Sequence, residues 1–300
     1  MSFQKPALTY EQQIELLKSR GLTILDEAFA KHCLAHFNYY RLSAYRRPFT
    51  EPGNYDRFRA GVTFDDLWAL YCFDRKLRGL VTEGTKSVEI SVRSRWAYEI
   101  GHHYGPLAYE NPANFNNLKI HKETLERIDR ELVRTRDETI LHFRMKHQMP
   151  RPPVWAVCEV MTFGTLSQLY AIMRENRIRK EVAASYDFSP DVLESVLHHL
   201  SYVRNICAHH GRLWDRKLTI TGQLPKKRPR SLALSLNPAA HDRIYTTLAI
   251  LAHLNAVIWQ TTEWTSRLLT LIDPNPSNIL GTMGFPTDWR ERPVWHLASE

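Results

Sequence analysis

Apolar residues recur along most of this chain at three- and four-residue intervals, the period of an α-helix with one face turned to a core. Thr9 is placed to cap a first helix running to Arg20, with Ile14, Leu16 and Leu17 on one side and Gly21 as its stop. A second helix starts near Asp26 and carries Ala28, Leu34 and Phe37. Thr63 marks another start, since Asp65 and Asp66 then face the positive end of the helix dipole. From there Leu67, Leu70, Tyr71, Phe73, Leu77, Leu80 and Val81, then Val88, Ile90, Val92 and Trp96, predict one long helix or a pair broken near Gly84. Gly101 and the loop from Gly105 to Asn117 end it.

Residues 119–147 form a charge-rich helix with a thin apolar seam of Leu125, Ile128, Leu132 and Ile140. Mixed-sign charge of this kind reads first as a solvated face, with an RNA-binding surface as the alternative. Pro150, Pro152 and Pro153 then give the clearest internal break. Further helices are predicted over Trp155–Met173, Asp191–His210 and, strongly apolar, His241–Ile272, before an aromatic, proline-punctuated tail. No βαβ alternation and no series of strands is visible, so the fold class is all-α. The predicted organisation is a helical domain over 1–216, with 119–147 inserted, and a segment 217–300 of basic loop, helix and tail packed on the same body.

The composition, 43% hydrophobic and 24% charged over 300 residues, is that of a globular chain and excludes collagenous or disordered classes. Forty Lys and Arg against 32 Asp and Glu leave a net charge of +8, which favours phosphate-bearing partners, nucleic acid among them. Cys33, Cys72, Cys158 and Cys207 are far apart, each in an apolar stretch, and predict buried thiols in a reducing, cytoplasmic setting. The N-terminus has no signal-type apolar run, and no stretch reaches the ~18 apolar residues of a membrane span.

The segment Leu197 to Trp214 is the most informative. It sets Arg204, Asn205, His209 and His210 on a helix whose Leu197, Leu200, Val203 and Cys207 would face a core. Asn205 and His209, four apart, share a face, whereas Arg204 and His209, five apart, diverge by ~140° on an ideal helix. The chemistry suits RNA cleavage. An imidazole titrating near pH ~6.5 exchanges protons with a 2′-hydroxyl or a leaving 5′-oxygen. A guanidinium forks onto a phosphate, and Asn205 is suited to orient the imidazole or bind a phosphate oxygen. The plainer reading is that His210 and Gly211 terminate the helix and that Arg204 makes an ordinary ion pair.

The string RNICAHHGRLW at 204–214 joins FNYYRLSAYRRPF at 37–49, LYCFDRKLR at 70–78, VEISVRSR at 88–95 and PVWAVCEVMTFGTLSQLY at 153–170. Together they resemble the AbiD and AbiF type abortive infection proteins of bacteria, over most of residues 5–216 and in the GFP…W…PVW ending. That resemblance implies the HEPN superfamily of all-α domains, whose motif is Arg, four to six residues, then His. Here the motif falls on Arg204 and His209, with Asn205 at the polar position after the Arg. The implied activity is that of a metal-independent endoribonuclease toxin in phage defence, with the site shared across a homodimer. A bound regulatory small RNA is a mode of control associated with the group. HEPN toxins silenced by a nucleotidyltransferase tend to carry Tyr two residues after the motif His, and Gly211 stands there instead, so control by tyrosine modification is not expected.

A second Arg and His pair, Arg95 and His102, is a candidate degenerate copy of the motif, against the simpler reading that Gly101 ends the helix just before the histidines. His32 and His36 have helical spacing but no third ligand, so no metal and no cofactor is expected. Lys226, Lys227, Arg228 and Arg230 form a basic loop suited to RNA phosphates or simply to water. The aromatics of 37–49 read as core or as base-stacking groups. The rival to a ribonuclease is a noncatalytic RNA-binding or scaffold protein acting with a small RNA.

Overall fold

The computed structural model describes residues 6–299 and is all-α, with one small strand pair among them. The first five residues, read above as part of an N-terminus without a signal, lie outside the described residues. Compact units meet at Leu77 and Arg78, inside one helix, and 217–300 lies in the second unit together with 78–216.

In the first unit, α1 (Tyr10–Ser19) is held by a reciprocal cap in which Gln12 N–H donates to Thr9 Oγ1 at 3.3 Å and Thr9 N–H to Gln12 Oε1 at 2.9 Å. Asp26 caps α2 (Glu27–Phe37) by accepting from Phe29 N–H at 2.8 Å, and α3 (Tyr39–Ser43) follows. The antiparallel strands β1 (Thr50–Glu51) and β2 (Asn54–Phe58) were not predicted, because only Phe58 of β2 is buried and no alternation is left to read. The aromatic run 37–49 splits: Tyr45 is buried and donates to Asp74 at 2.6 Å, while Tyr40 is 85% exposed.

The fourth helix, α4 (Phe64–Tyr104), begins in the first unit and continues into the second. It passes Gly84 without a break, which is the single long helix of the two forms expected there, and it also passes Gly101, where the helix was expected to end. At Gly84 a Cβ would stand 2.8 Å from the Trp264 ring, whose Nε1 donates to Leu80 O at 2.9 Å, so this glycine serves a close approach. The helix stops only at Gly105, where φ is +88°.

The second unit continues with α5 (Leu118–Arg134), α6 (Glu138–His147), α7 (Val154–Val160), α8 (Phe163–Ala171), α9 (Asn176–Ala184), α10 (Pro190–Ala208), α11 (Arg230–Ser235), α12 (Ile244–Trp259), α13 (Glu263–Ile272) and α14 (Ser277–Thr282). Three predicted helices are therefore split. Asp137 caps α6 through Ile140 N–H, Thr162 caps α8 through Thr165 N–H, and Gln260 ends α12 at φ +54°. The Pro150–Pro153 stretch is no unit boundary; Arg151 forks onto Asp129 with two bonds of 2.7 Å and reaches Glu110 at 3.1 Å. The tail packs on α11 and α12, where Val294 N–H donates to Ser235 Oγ at 2.9 Å and Trp295 Nε1 to Tyr245 Oη at 3.4 Å. Among the described residues no helix is long and apolar enough to cross a membrane.

Candidate functional site

The site is carried by α10. Ser189 caps it by accepting from Val192 N–H, Pro190 occupies its first turn, and its packing partners are α8 and α9. Leu193, Val196, Leu197, Leu200 and Val203 are buried, and at Gly164 on α8 a Cβ would stand 3.3 Å from Ser201 Oγ.

One buried side chain, His199, ties the helix laterally through both ring nitrogens. His199 Nδ1 lies 2.7 Å from Ile220 O, so that nitrogen carries the hydrogen; Nε2, 2.8 Å from Thr247 Oγ1, accepts. Burial holds the His199 pKa below its ordinary value of 6.5, and burial does the same to His253. A native imidazole that resists protonation leaves the unfolded chain binding more protons below that value. Stability is therefore expected to be complete above pH about 6.5 and to fall as the medium is acidified, at up to about 1.4 kcal/mol per pH unit for each histidine. Urea unfolding of the wild type and a His199→Gln variant between pH 7.5 and 5 checks this, and an unchanged slope in the variant removes His199 as a cause.

At its C-terminus α10 closes in a left-handed cap. His209 is the last near-helical residue, His210 takes φ +54°, and the N–H groups of His210 and Gly211 bond Cys207 O at 3.0 Å and Ile206 O at 2.8 Å. Gly211 is sterically required: a Cβ there would lie 2.9 Å from Ile206 Cγ2 and 3.1 Å from Ile206 O. A side chain at that position requires Ile206 to shift. Beyond it Leu213 and Trp214 are fully buried, the Arg212 guanidinium lies 5.5 Å from the Trp214 ring centre, and Arg243 Nη1 donates to buried Asp215 at 2.9 Å.

Asn205, His209 and His210 are exposed and Arg204 is half-buried. Arg204 Nη1 donates to Asn205 Oδ1 at 3.3 Å, which engages the amide oxygen and leaves the amide NH₂ as a donor. Asn205 and His209 belong to a polar stripe with His198 and Tyr202, at spacings of four, three and four residues along α10. The Tyr202 hydroxyl accepts from Thr219 Oγ1 at 3.1 Å. Burial raises this phenol, but hydrogen bonds from Thr219 and Arg216 outweigh it and hold its pKa below the usual value. Tyr202 and Arg216 had escaped the sequence reading. The seven-residue spacing of Tyr202 from His209 was legible, whereas Arg216 arrives only because the chain folds back after Gly211.

The other candidates each have surroundings of their own. Arg95 (44% exposed side chain) bonds Glu99 Oε1 at 3.3 Å and sits over Tyr98, on which His102 stacks at 5.0 Å. His102 and Tyr98 line a cleft of about 370 Å³ with Ser94, Trp155, Cys158 and Glu159. Both members of the pair are on intact helix, so the expected helix end before His102 is not there. The basic loop follows an irregular return along α10, in which Gln223 N–H donates to Ser195 Oγ at 2.7 Å. Since Ser195 stands about 20 Å along the axis from His209, Lys226, Lys227, Arg228 and Arg230 follow from the far part of the helix, all four exposed. His32 and His36 have ring centres 4.5 Å apart on the exposed side of α2.

A model of the family described as Abi-like proteins matches residues 32–215, more than half of the chain and all of α10. No curated protein and no solved structure matches it significantly.

Proposed function

Because the chain belongs to the Abi-like protein family, which suggests abortive infection as a defence against phage, we propose that it is a metal-independent endoribonuclease toxin of the HEPN type, of the AbiD and AbiF kind, working in the cytoplasm. The observation that carries this reading is the Arg204 to Asn205 hydrogen bond at the end of a stripe in which Asn205 and His209 share an exposed face. A phosphodiester lying on that face meets an amide donor, a guanidinium and an imidazole. His209 takes the proton of the 2′-hydroxyl as its oxygen bonds phosphorus. The bond to the 5′-oxygen breaks, and that oxygen receives a proton. The products are a 2′,3′-cyclic phosphate and a 5′-hydroxyl. One imidazole cannot be base and acid in the same displacement without reprotonation, and Arg204 points ~140° from His209 on its own helix. A homodimer that sets two α10 C-termini face to face supplies the second imidazole and a better placed guanidinium.

Cleavage is expected to persist in EDTA, to spare DNA and to leave the cyclic phosphate, read by mass spectrometry of the fragments. Strict dependence on magnesium or manganese overturns the mechanism, and full activity of a species that stays monomeric on dilution in light scattering overturns the shared site. RNA that copurifies uncleaved on the exposed loop Lys226–Arg230, with no nuclease activity in any form, would favour a noncatalytic protein that works with a small RNA.

A further inference from the structure

The C-terminal turns of α4 carry a second cluster, unrelated to the stripe on α10. Glu99 and His103 are four apart and share a helix face, and Glu181 of α9 meets them from across the helix pair. His103 Nε2 lies 2.9 Å from Glu181 Oε2 and 3.9 Å from Glu99 Oε2, and the three ligand atoms fall within 4.8 Å of one another. We propose that Glu99, His103 and Glu181 bind a divalent transition metal, zinc by their donor set, and that the ion pins the end of α4 to α9.

Ligand atoms about 2.0–2.2 Å from a tetrahedral zinc stand about 3.3 Å from one another, so side-chain shifts of less than about 1.5 Å close the site. The carboxylates are already turned for it. Arg95 holds Glu99 by Oε1 at 3.3 Å and Arg177 holds Glu181 by Oε1 at 3.0 Å, which leaves both Oε2 atoms toward the imidazole. Outer partners that orient ligating carboxylates in this way are the usual support of a metal site. Glu99 is 8% exposed, and a cation beside its carboxylate offsets the cost of burying that charge. One imidazole with two carboxylates suits zinc better than magnesium, which prefers oxygen ligands in octahedral array. Three protein ligands leave one position for water. The two guanidinium groups oppose the cation, so the site is of moderate affinity.

The full-length protein, stripped with EDTA, is titrated with zinc chloride against a chromophoric chelator, and its melting temperature is followed with and without zinc. Glu181→Gln keeps the shape and the hydrogen bond to His103 and so isolates ligation from folding. His103→Ala removes the imidazole, and His36→Ala controls for the histidine pair on α2. The tightest zinc equivalent is expected to weaken at least tenfold in Glu181→Gln and His103→Ala and to be unchanged in His36→Ala. Zinc should raise the melting temperature of the wild type and His36→Ala alone, and magnesium should not. Equal affinity in wild type and Glu181→Gln, or loss only in His36→Ala, overturns the site. Because these readouts are binding and melting, they stand or fall separately from RNA cleavage.

Discussion

Replacing His209 with alanine is expected to lower RNA cleavage by about 10²- to 10⁴-fold, the usual worth of a positioned acid or base. Arg204→Ala should lose about 10²- to 10³-fold, the scale of one donor to a developing oxyanion. Neither change should alter the fold, because His209 is exposed and Arg204 only half-buried, and substitutions at such places mostly stay within about 0.5 kcal/mol of wild type. The measurements are cleavage of labelled RNA under single-turnover conditions, growth after induction in the host, and the urea midpoint of each variant. Variants that keep both full cleavage and full toxicity show that the site lies elsewhere. A variant that loses activity together with its urea midpoint says nothing for catalysis, and His209→Gln, which keeps size and polarity, then decides.

Trp214→Ala is expected to do the opposite. Trp214 stands five residues after His209 in the same sequence string, yet it is fully buried and anchors the chain just past the cap of α10. Truncating a buried tryptophan costs about 3–5 kcal/mol, against a total stability of about 5–15 kcal/mol for a typical domain. Chemical denaturation should show that loss, and activity should fall with the folded fraction, whereas Trp214→Phe should recover most of both. The pair of experiments separates residues of one short string into those that do chemistry and those that hold the backbone for it. A Trp214→Ala protein as stable as wild type would mean that the segment after Gly211 does not support the site.

Much of the fold was legible because helices are local. Thr9, Asp26 and Thr63 each mark a helix start by side-chain oxygens that accept backbone N–H groups within three residues, and all three helices begin one residue later. The end of α10 was legible for the same reason, since His210 and Gly211 close it by bonds to residues three and five positions back. What periodicity could not show was where a long apolar run is cut, as at Thr162 and Gln260, because both are exposed and an exposed polar residue fits the outer face of a continuous helix equally well. Nor could it show where a glycine breaks nothing, because at Gly84 the deciding atoms belong to Trp264, far along the chain.

The candidate chemistry divides in the same way. Arg204, Asn205 and His209, and the angle between them, follow from the sequence alone, since residue spacing on one helix sets direction. Tyr202 meets Arg216 and Thr219, and Glu99 and His103 meet Glu181, only after distant segments pack. A helix fixes what its own residues face within a few turns. Which group comes to meet them from another helix depends on how apolar faces bury against each other, and that is a property of the whole packed chain.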